Sequence, residues 1–122
     1  LEMAGQNTTN AIDSVSLMPL LRQIGTINRE AIYWHYPHYG NQGCAPTGAI
    51  REGDWKLIEW YENGKLELFN LREDASEKND LAKQHPAKVK ALATRLAQWR
   101  KDTGARMPAK NEKFNKDKRE GR

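Results

Sequence analysis

The most constraining feature of this 122-residue sequence is a pair of strand-like runs that are apolar on both faces. Residues 54–61 (Asp-Trp-Lys-Leu-Ile-Glu-Trp-Tyr) and 66–71 (Leu-Glu-Leu-Phe-Asn-Leu) flank Asn63-Gly64. Asn-Gly between such runs predicts a hairpin closed by a two-residue type I′ turn, because both residues tolerate positive φ. Side chains alternate along a strand, so Trp55, Leu57 and Tyr61 point one way while Ile58 and Trp60 point the other. Leu66 and Leu68 oppose Phe69 and Leu71 in the same manner. An antiparallel sheet with one wet face alternates apolar with polar residues. This one has two apolar faces to cover.

One helix is on hand to do so. Val89, Leu92, Ala93, Leu96 and Trp99 recur at helical spacing, with Lys88, Lys90, Arg95, Gln98 and Lys101 on the other side. Pro86 suits a first helical position and Gly104 a stop, which predicts a helix over 86–103. A single helix covers a single face. The other would leave tryptophan and phenylalanine in water, and such a patch marks an interface. A larger body of protein is expected to cover it; the alternative is that residues 1–29 fold over it.

Two further runs complete the sheet. Residues 31–36 (Ala-Ile-Tyr-Trp-His-Tyr) are aromatic and β-branched and stop at Pro37, and residues 49–51 (Ala-Ile-Arg) lead into the hairpin. Between them, residues 38–48 hold Gly40, Gly43, Pro46 and Gly48. A loop of that length in a small domain tends to face a ligand or partner. The fold class expected is α+β: a small antiparallel sheet of three to four strands with one long carboxy-terminal helix packed on one face. Residues 1–29 read as a connecting segment with short helical turns. Residues 1–5 resemble a helix end, residues 7–10 a polar break, and residues 17–21 an apolar turn closed by Gly25. Residues 30–104 form the sheet-and-helix unit. Residues 105–122 form a basic tail, expected to be mobile in isolation because it has too little apolar content to offset its ordering entropy.

Charge and cysteine content narrow the function classes. From Ala109 to Arg122 six basic residues face three acidic ones, so +3 of the net +4 lies in the tail and the body is near neutral. No nucleic-acid motif accompanies that charge, so no nucleic-acid partner is expected. A basic nucleic-acid-binding domain is the least favoured reading. No apolar run has the length of a membrane span, and the opening residues lack the pattern of a signal peptide. The lone Cys44 forms no internal disulfide.

Three groups of residues invite chemistry. His35 and His38, in Trp34-His35-Tyr36-Pro37-His38-Tyr39, lack the further ligands of a metal site, but histidine at a strand end is suited to contact a substrate oxygen. Packing in an aromatic seam is the plain alternative. Cys44 has no orienting base for a thiol nucleophile. Asp74, Glu77 and Asp80 cluster like calcium ligands but lack the glycine and spacing of an EF-hand, so turn capping explains them better. There is no G-x-S-x-G, phosphate-binding glycine loop, CxxC or HExxH. No catalytic residue and no metal ligand is assigned to this chain.

Several segments, in order, resemble the carboxy-terminal part of type I sulfatases of the alkaline phosphatase-like superfamily. Leu1-Glu2-Met3-Ala4-Gly5 is similar to the family's L-x-L-A-G, and residues 13–21 to D-G-x-S-L-x-P-L-L. Residues 33–39, then Ala49-Ile50-Arg51-Glu52-Gly53-Asp54-Trp55-Lys56-Leu57-Ile58, then Leu66-Glu67-Leu68-Phe69-Asn70-Leu71 follow in the family's order. Asp74, Glu77, Asn79, Leu81 and Ala82 resemble its D-x-x-E-x-x-N-L-A turn with Asp80 inserted. The resemblance spans residues 1–108.

It implies that the complete protein hydrolyses sulfate esters, carbohydrate sulfates before simple aryl sulfates. It also implies a formylglycine nucleophile made within C/S-x-P-x-R and a calcium ion, both upstream of the matched segment. Cys44-Ala45-Pro46-Thr47-Gly48 imitates that motif but has Gly48 where arginine is required, so Cys44 is not assigned as formylglycine. The resemblance further implies that this chain is non-catalytic and inactive alone. Its partner would be a missing amino-terminal catalytic domain, and its setting periplasmic or secreted. Residues 34–39 would line the substrate pocket, with His35 and His38 contacting a sulfated sugar. A stand-alone interaction module that reuses this subdomain is the alternative.

Overall fold

The computed structural model describes residues 15–40 and 43–111. The helix end expected at 1–5, the polar break at 7–10 and residues 112–122 of the basic tail lie outside the described residues. A short helix α1 (Met18–Leu21) precedes strands β1 (Ile32–Tyr36), β2 (Thr47–Glu52), β3 (Trp55–Trp60) and β4 (Leu66–Asn70), and helix α2 (Pro86–Asp102) follows. The strands form one sheet in the order β1-β2-β3-β4, each pair antiparallel. The α+β arrangement is therefore the one expected, with four strands and one long helix among the described residues. No helix among them is long and apolar enough to cross a membrane.

The core is a single row across the sheet sealed by the helix. Tyr33 pairs with Ile50, Ile50 with Leu57, and Leu57 with Leu68. Ile50, Leu57 and Leu68 are fully buried together with Leu92 and Leu96 of α2. Tyr33 extends the row by stacking on Trp99, with ring centroids 4.9 Å apart and planes 3° from parallel. Ion pairs fasten the rim: Arg95 reaches Glu52 at 2.7 Å and Glu30 at 2.9 Å, and Arg100 reaches Glu59 at 2.7 Å. Helix α2 ends in a Schellman arrangement, with Ala105 N–H on Arg100 C=O and Gly104 N–H on Lys101 C=O.

The β3–β4 connection differs from the expected type I′ turn. The register sets Glu59 opposite Leu66, and Trp60 N–H donates to Lys65 C=O, which leaves Tyr61, Glu62, Asn63 and Gly64 as a four-residue loop. Gly64 has a φ of +69°, while Asn63 keeps negative φ and caps Lys65 N–H with its side chain at 2.9 Å. The reason lies in the core. A two-residue turn would have set Leu57 against Asn70 and Glu59 against Leu68; the longer loop pairs Leu57 with Leu68, both fully buried. Tertiary packing overrides the local turn preference. The tight two-residue turn is at Gly53-Asp54 between β2 and β3, with Gly53 at φ +58°.

Helix α1 also departs from expectation. It is closed by Gln23 at φ +55°, not by Gly25, through Ile24 N–H on Pro19 C=O and Gln23 N–H on Leu20 C=O. Its apolar residues do not pack inward: Leu17, Leu20, Leu21 and Ile24 are exposed.

The second sheet face carries Ile32, Trp34 and Tyr36 of β1, Ala49 of β2, Ile58 and Trp60 of β3, and Phe69 of β4. Its β4 side is partly roofed, since Lys56 pairs with Glu77 at 2.6 Å and Trp60 Nε1 donates to Glu67 at 2.6 Å. The β1 row is open, with Ile32 40%, Trp34 47% and Tyr36 46% exposed. Among the described residues, 15–31 reach only one corner of this face, where Val15, Leu17 and Ile27 line a shallow groove with Ile32, Arg51 and Gly53.

Candidate functional site

The candidate site lies where β1 runs into the loop that leads to β2. His35 points toward the helix side, cross-strand from Gly48, and Gly48 in turn pairs with Glu59. The ring of Tyr61, just past β3, lies across Gly48 so closely that a Cβ there would overlap the Tyr61 hydroxyl. The absence of a side chain at Gly48 is what admits the phenol.

The hydrogen bonds around Tyr61 define one protonation pattern. His35 Nε2 is 2.8 Å from the Arg106 carbonyl, which only accepts, so Nε2 carries the hydrogen. In the neutral ring Nδ1 then accepts from Tyr61 O–H, 2.7 Å away. Tyr61 Oη accepts from Arg100 Nη1 at 3.4 Å, and the same guanidinium donates to Glu59 at 2.7 Å. The Arg100 cation also sits 5.4 Å from the centre of the Tyr61 ring. Burial pushes the Tyr61 phenol above its usual range, opposed by the hydrogen bond from Arg100. Burial works against the charge of Arg100, but Glu59 and Tyr61 outweigh it and hold the guanidinium above its usual range. The cluster thus keeps a neutral phenol beside a permanent cation.

His38 is placed differently. It is exposed on the loop, its ring edge-on to Tyr36 at 5.7 Å. The structure does not bring the two histidines to a common point: His35 is bonded at both ring nitrogens within the domain, and His38 faces outward. The neighbouring Tyr39 donates to Glu62 at 2.7 Å, and Gly40 N–H and Gly43 N–H close the loop's neck on Cys44 C=O and Gly40 C=O at 2.9 Å and 3.1 Å. Cys44 is exposed and carries a free thiol.

The acidic turn does not fit the calcium ion that the resemblance implies for a complete sulfatase. Asp74 Oδ2 accepts the N–H groups of Lys78 and Asn79, both at 2.7 Å, and Asp80 Oδ1 accepts those of Leu68 at 3.1 Å and Ala82 at 2.9 Å. Glu77 is engaged by Lys56. These oxygens build the turn and cap the outer edge of β4. Among the described residues no three His, Cys, Asp or Glu side chains are grouped to hold a metal ion.

Tyr61, Arg100 and Glu59 were not legible as site residues from the sequence, yet signals existed. Glu59 interrupts an apolar strand face, and Arg100 falls on the buried stripe one turn beyond Leu96.

Four antiparallel strands backed by a carboxy-terminal helix, with a sequence match along nearly all of that unit, define a sulfatase carboxy-terminal domain. Residues 1–102 match the family described as N-sulphoglucosamine sulphohydrolase, C-terminal, and the chain belongs to that family. It is 32% identical over 92 residues to arylsulfatase K of Danio rerio, covering 70% of this chain and 17% of that protein. It is 29% identical over 83 residues to a sulfatase of Formosa agariphila, covering 62% of this chain and 15% of that protein. Among solved structures, a protein in complex with its substrate D-glucosamine-2-N,6-O-disulfate superposes with a TM-score of 0.71 at 28% identity, covering 91% of this chain and 24% of that one. A Bacteroides thetaiotaomicron protein solved in connection with glycosaminoglycan metabolism superposes with a TM-score of 0.58 at 27% identity, covering 82% of this chain and 22% of that one. The chain therefore spans about a sixth of the length of the curated relatives it matches.

Proposed function

We propose that this chain serves as the carboxy-terminal, non-catalytic part of a sulfatase that hydrolyses sulfate esters of carbohydrates. The observation that carries this reading is the open apolar row Ile32, Trp34 and Tyr36 on a sheet whose long helix α2 covers the opposite face. A catalytic domain laid on that row would bury it, and burying aromatic side chains of this size is a large favourable contribution. The edge of the sheet next to that row is the loop bearing His38. Under this reading His38 offers an imidazole to a hydroxyl or leaving-group oxygen of a sulfated sugar. His35 makes no such contact in this reading, since its nitrogens are engaged with Tyr61 and Arg106. A sulfated glucosamine is the substrate class to try first, because a structural relative at 28% identity was solved with one. Formylglycine and calcium chemistry belong to the catalytic domain in this reading, and no step is assigned to Cys44 or to the acidic turn.

The test is the reading frame continuous with Leu1 and the activity of its product. A C/S-x-P-x-R motif upstream, and sulfate release from N,6-O-disulfated glucosamine by the encoded protein, are expected. A stop codon immediately upstream, or sulfate release by the 122-residue chain alone, would overturn the assignment.

A further inference from the structure

The loop that carries His38 is braced from two sides by one short turn. At its far end Pro46 C=O accepts Tyr61 N–H at 3.0 Å. At its near end His35, one residue before Tyr36 closes β1, is held by Tyr61 O–H. In between, Tyr39 O–H donates to Glu62, the residue next to Tyr61. Tyr61 and Glu62 thus grip residues 35, 39 and 46, the entry, body and exit of the loop. Tyr61 is in turn fixed by Arg100 of α2, which Glu59 orients, and by its seat over Gly48. The four-residue β3–β4 loop makes this possible, because it frees Tyr61 from strand pairing.

We infer that Tyr61 is a positioning residue: through His35 and Pro46 it sets the place of the loop bearing His38, and so the affinity for substrate, without touching substrate itself. This rests on the reading of His38 as a substrate contact. A device of this kind acts through preorganisation: a contact residue already held in place binds without an ordering cost at the moment of binding. For a His38 contact to a sugar hydroxyl away from the scissile ester, ground state and transition state are served alike, so its loosening raises KM and leaves kcat unchanged.

The test variant is Tyr61→Phe, which keeps the ring over Gly48 and removes the hydroxyl. In the 122-residue chain, imidazole nitrogen resonances of His35 should show Nε2–H with a hydrogen-bonded Nδ1; in the variant Nδ1 moves to its unbonded position. Amide exchange at Gly40 and Gly43 is expected to rise roughly tenfold, the change that loss of one hydrogen bond brings. In the complete sulfatase KM should rise roughly tenfold with kcat within about twofold of the parent. Arg100→Lys, which keeps the charge beside Glu59 but shortens its reach to Tyr61, should move the same quantities in the same direction and serves if Tyr61→Phe folds poorly. Unchanged loop exchange in both variants would overturn the inference. Loosened exchange with unchanged KM would uphold the bracing by Tyr61 and overturn the role of His38 at the substrate, which separates the two claims.

Discussion

Gly48→Ala gives the sharpest prediction about the Tyr61 cluster. In most strands this substitution stabilises by about 0.4–1 kcal/mol, because glycine is the more disordered residue in the unfolded chain. Here the new Cβ would overlap the Tyr61 hydroxyl and lie 3.0 Å from Cζ and 3.2 Å from Cε1. The ring has little room to yield, since its backbone N–H is tied to Pro46 and its hydroxyl to His35 and Arg100. Overpacking of this kind costs about 1–3 kcal/mol, and swinging the ring away instead forfeits roughly 1 kcal/mol for each neutral hydrogen bond. Setting the glycine effect against either cost leaves a net loss of about 1–1.5 kcal/mol. For a domain of this size that is a fall in Tm of roughly 4–12 °C. Equilibrium urea unfolding of the single variant, of Tyr61→Phe and of the pair closes a double-mutant cycle. In the Tyr61→Phe background the oxygen that Cβ strikes is gone and the hydrogen bonds are already lost, so the alanine should cost less than about 1 kcal/mol. A neutral or stabilising Gly48→Ala, or equal costs in both backgrounds, would refute the placement of Tyr61 over Gly48.

Other expectations follow from the same packing. Leu92→Ala or Leu57→Ala removes a fully buried side chain from the single core row and should cost about 2–5 kcal/mol by urea unfolding, enough to unfold a domain with so thin a core. Asp80 is opposed by burial, but the backbone N–H groups of Leu68 and Ala82 outweigh this and hold its carboxyl below the usual range. A lowered folded-state pKa adds stability that is full above the unfolded value of about 3.9 and is lost as pH falls through the folded value. Asp80→Asn should therefore flatten the fall in Tm below about pH 4, and an unaltered acid profile would count against the β4 edge cap. Trp34→Ser should cost the isolated chain about 1–3 kcal/mol, because about half of its side chain is already buried there. In the complete sulfatase it should lower thermal stability or solubility, and a variant indistinguishable from the parent there would count against burial of that row.

Much of the fold was legible in local pattern. Alternation in residues 54–61 set Trp55 and Leu57 on one face and Ile58 and Trp60 on the other, as the registers place them, and the 3.6-residue spacing of Leu92, Leu96 and Trp99 located the helix within a residue of its end. What escaped was set by distant parts of the chain. Asn63-Gly64 favours a tight turn on its own, but pairing Leu57 with Leu68 gains more than the turn loses, and the loop lengthens to four residues. The Tyr61 cluster needs Gly48 from β2, His35 from β1, and Arg100 and Arg106 from α2 and the residues after it. No window of sequence contains more than two of these. In the acidic turn, capping is legible for Asp74 and Asp80, which accept nearby backbone N–H groups, whereas the pairing of Glu77 with Lys56 of β3 joins residues 21 apart and is not.

The central claim is that the open face of the sheet is a buried surface in a complete sulfatase, and hydroxyl-radical footprinting of both forms tests it most directly. In the isolated chain Ile32, Trp34 and Tyr36 should label strongly while Leu57, Leu92 and Leu96 stay protected. In the complete protein Ile32, Trp34 and Tyr36 should become as protected as the core. Equal labelling of that row in both forms would contradict the account.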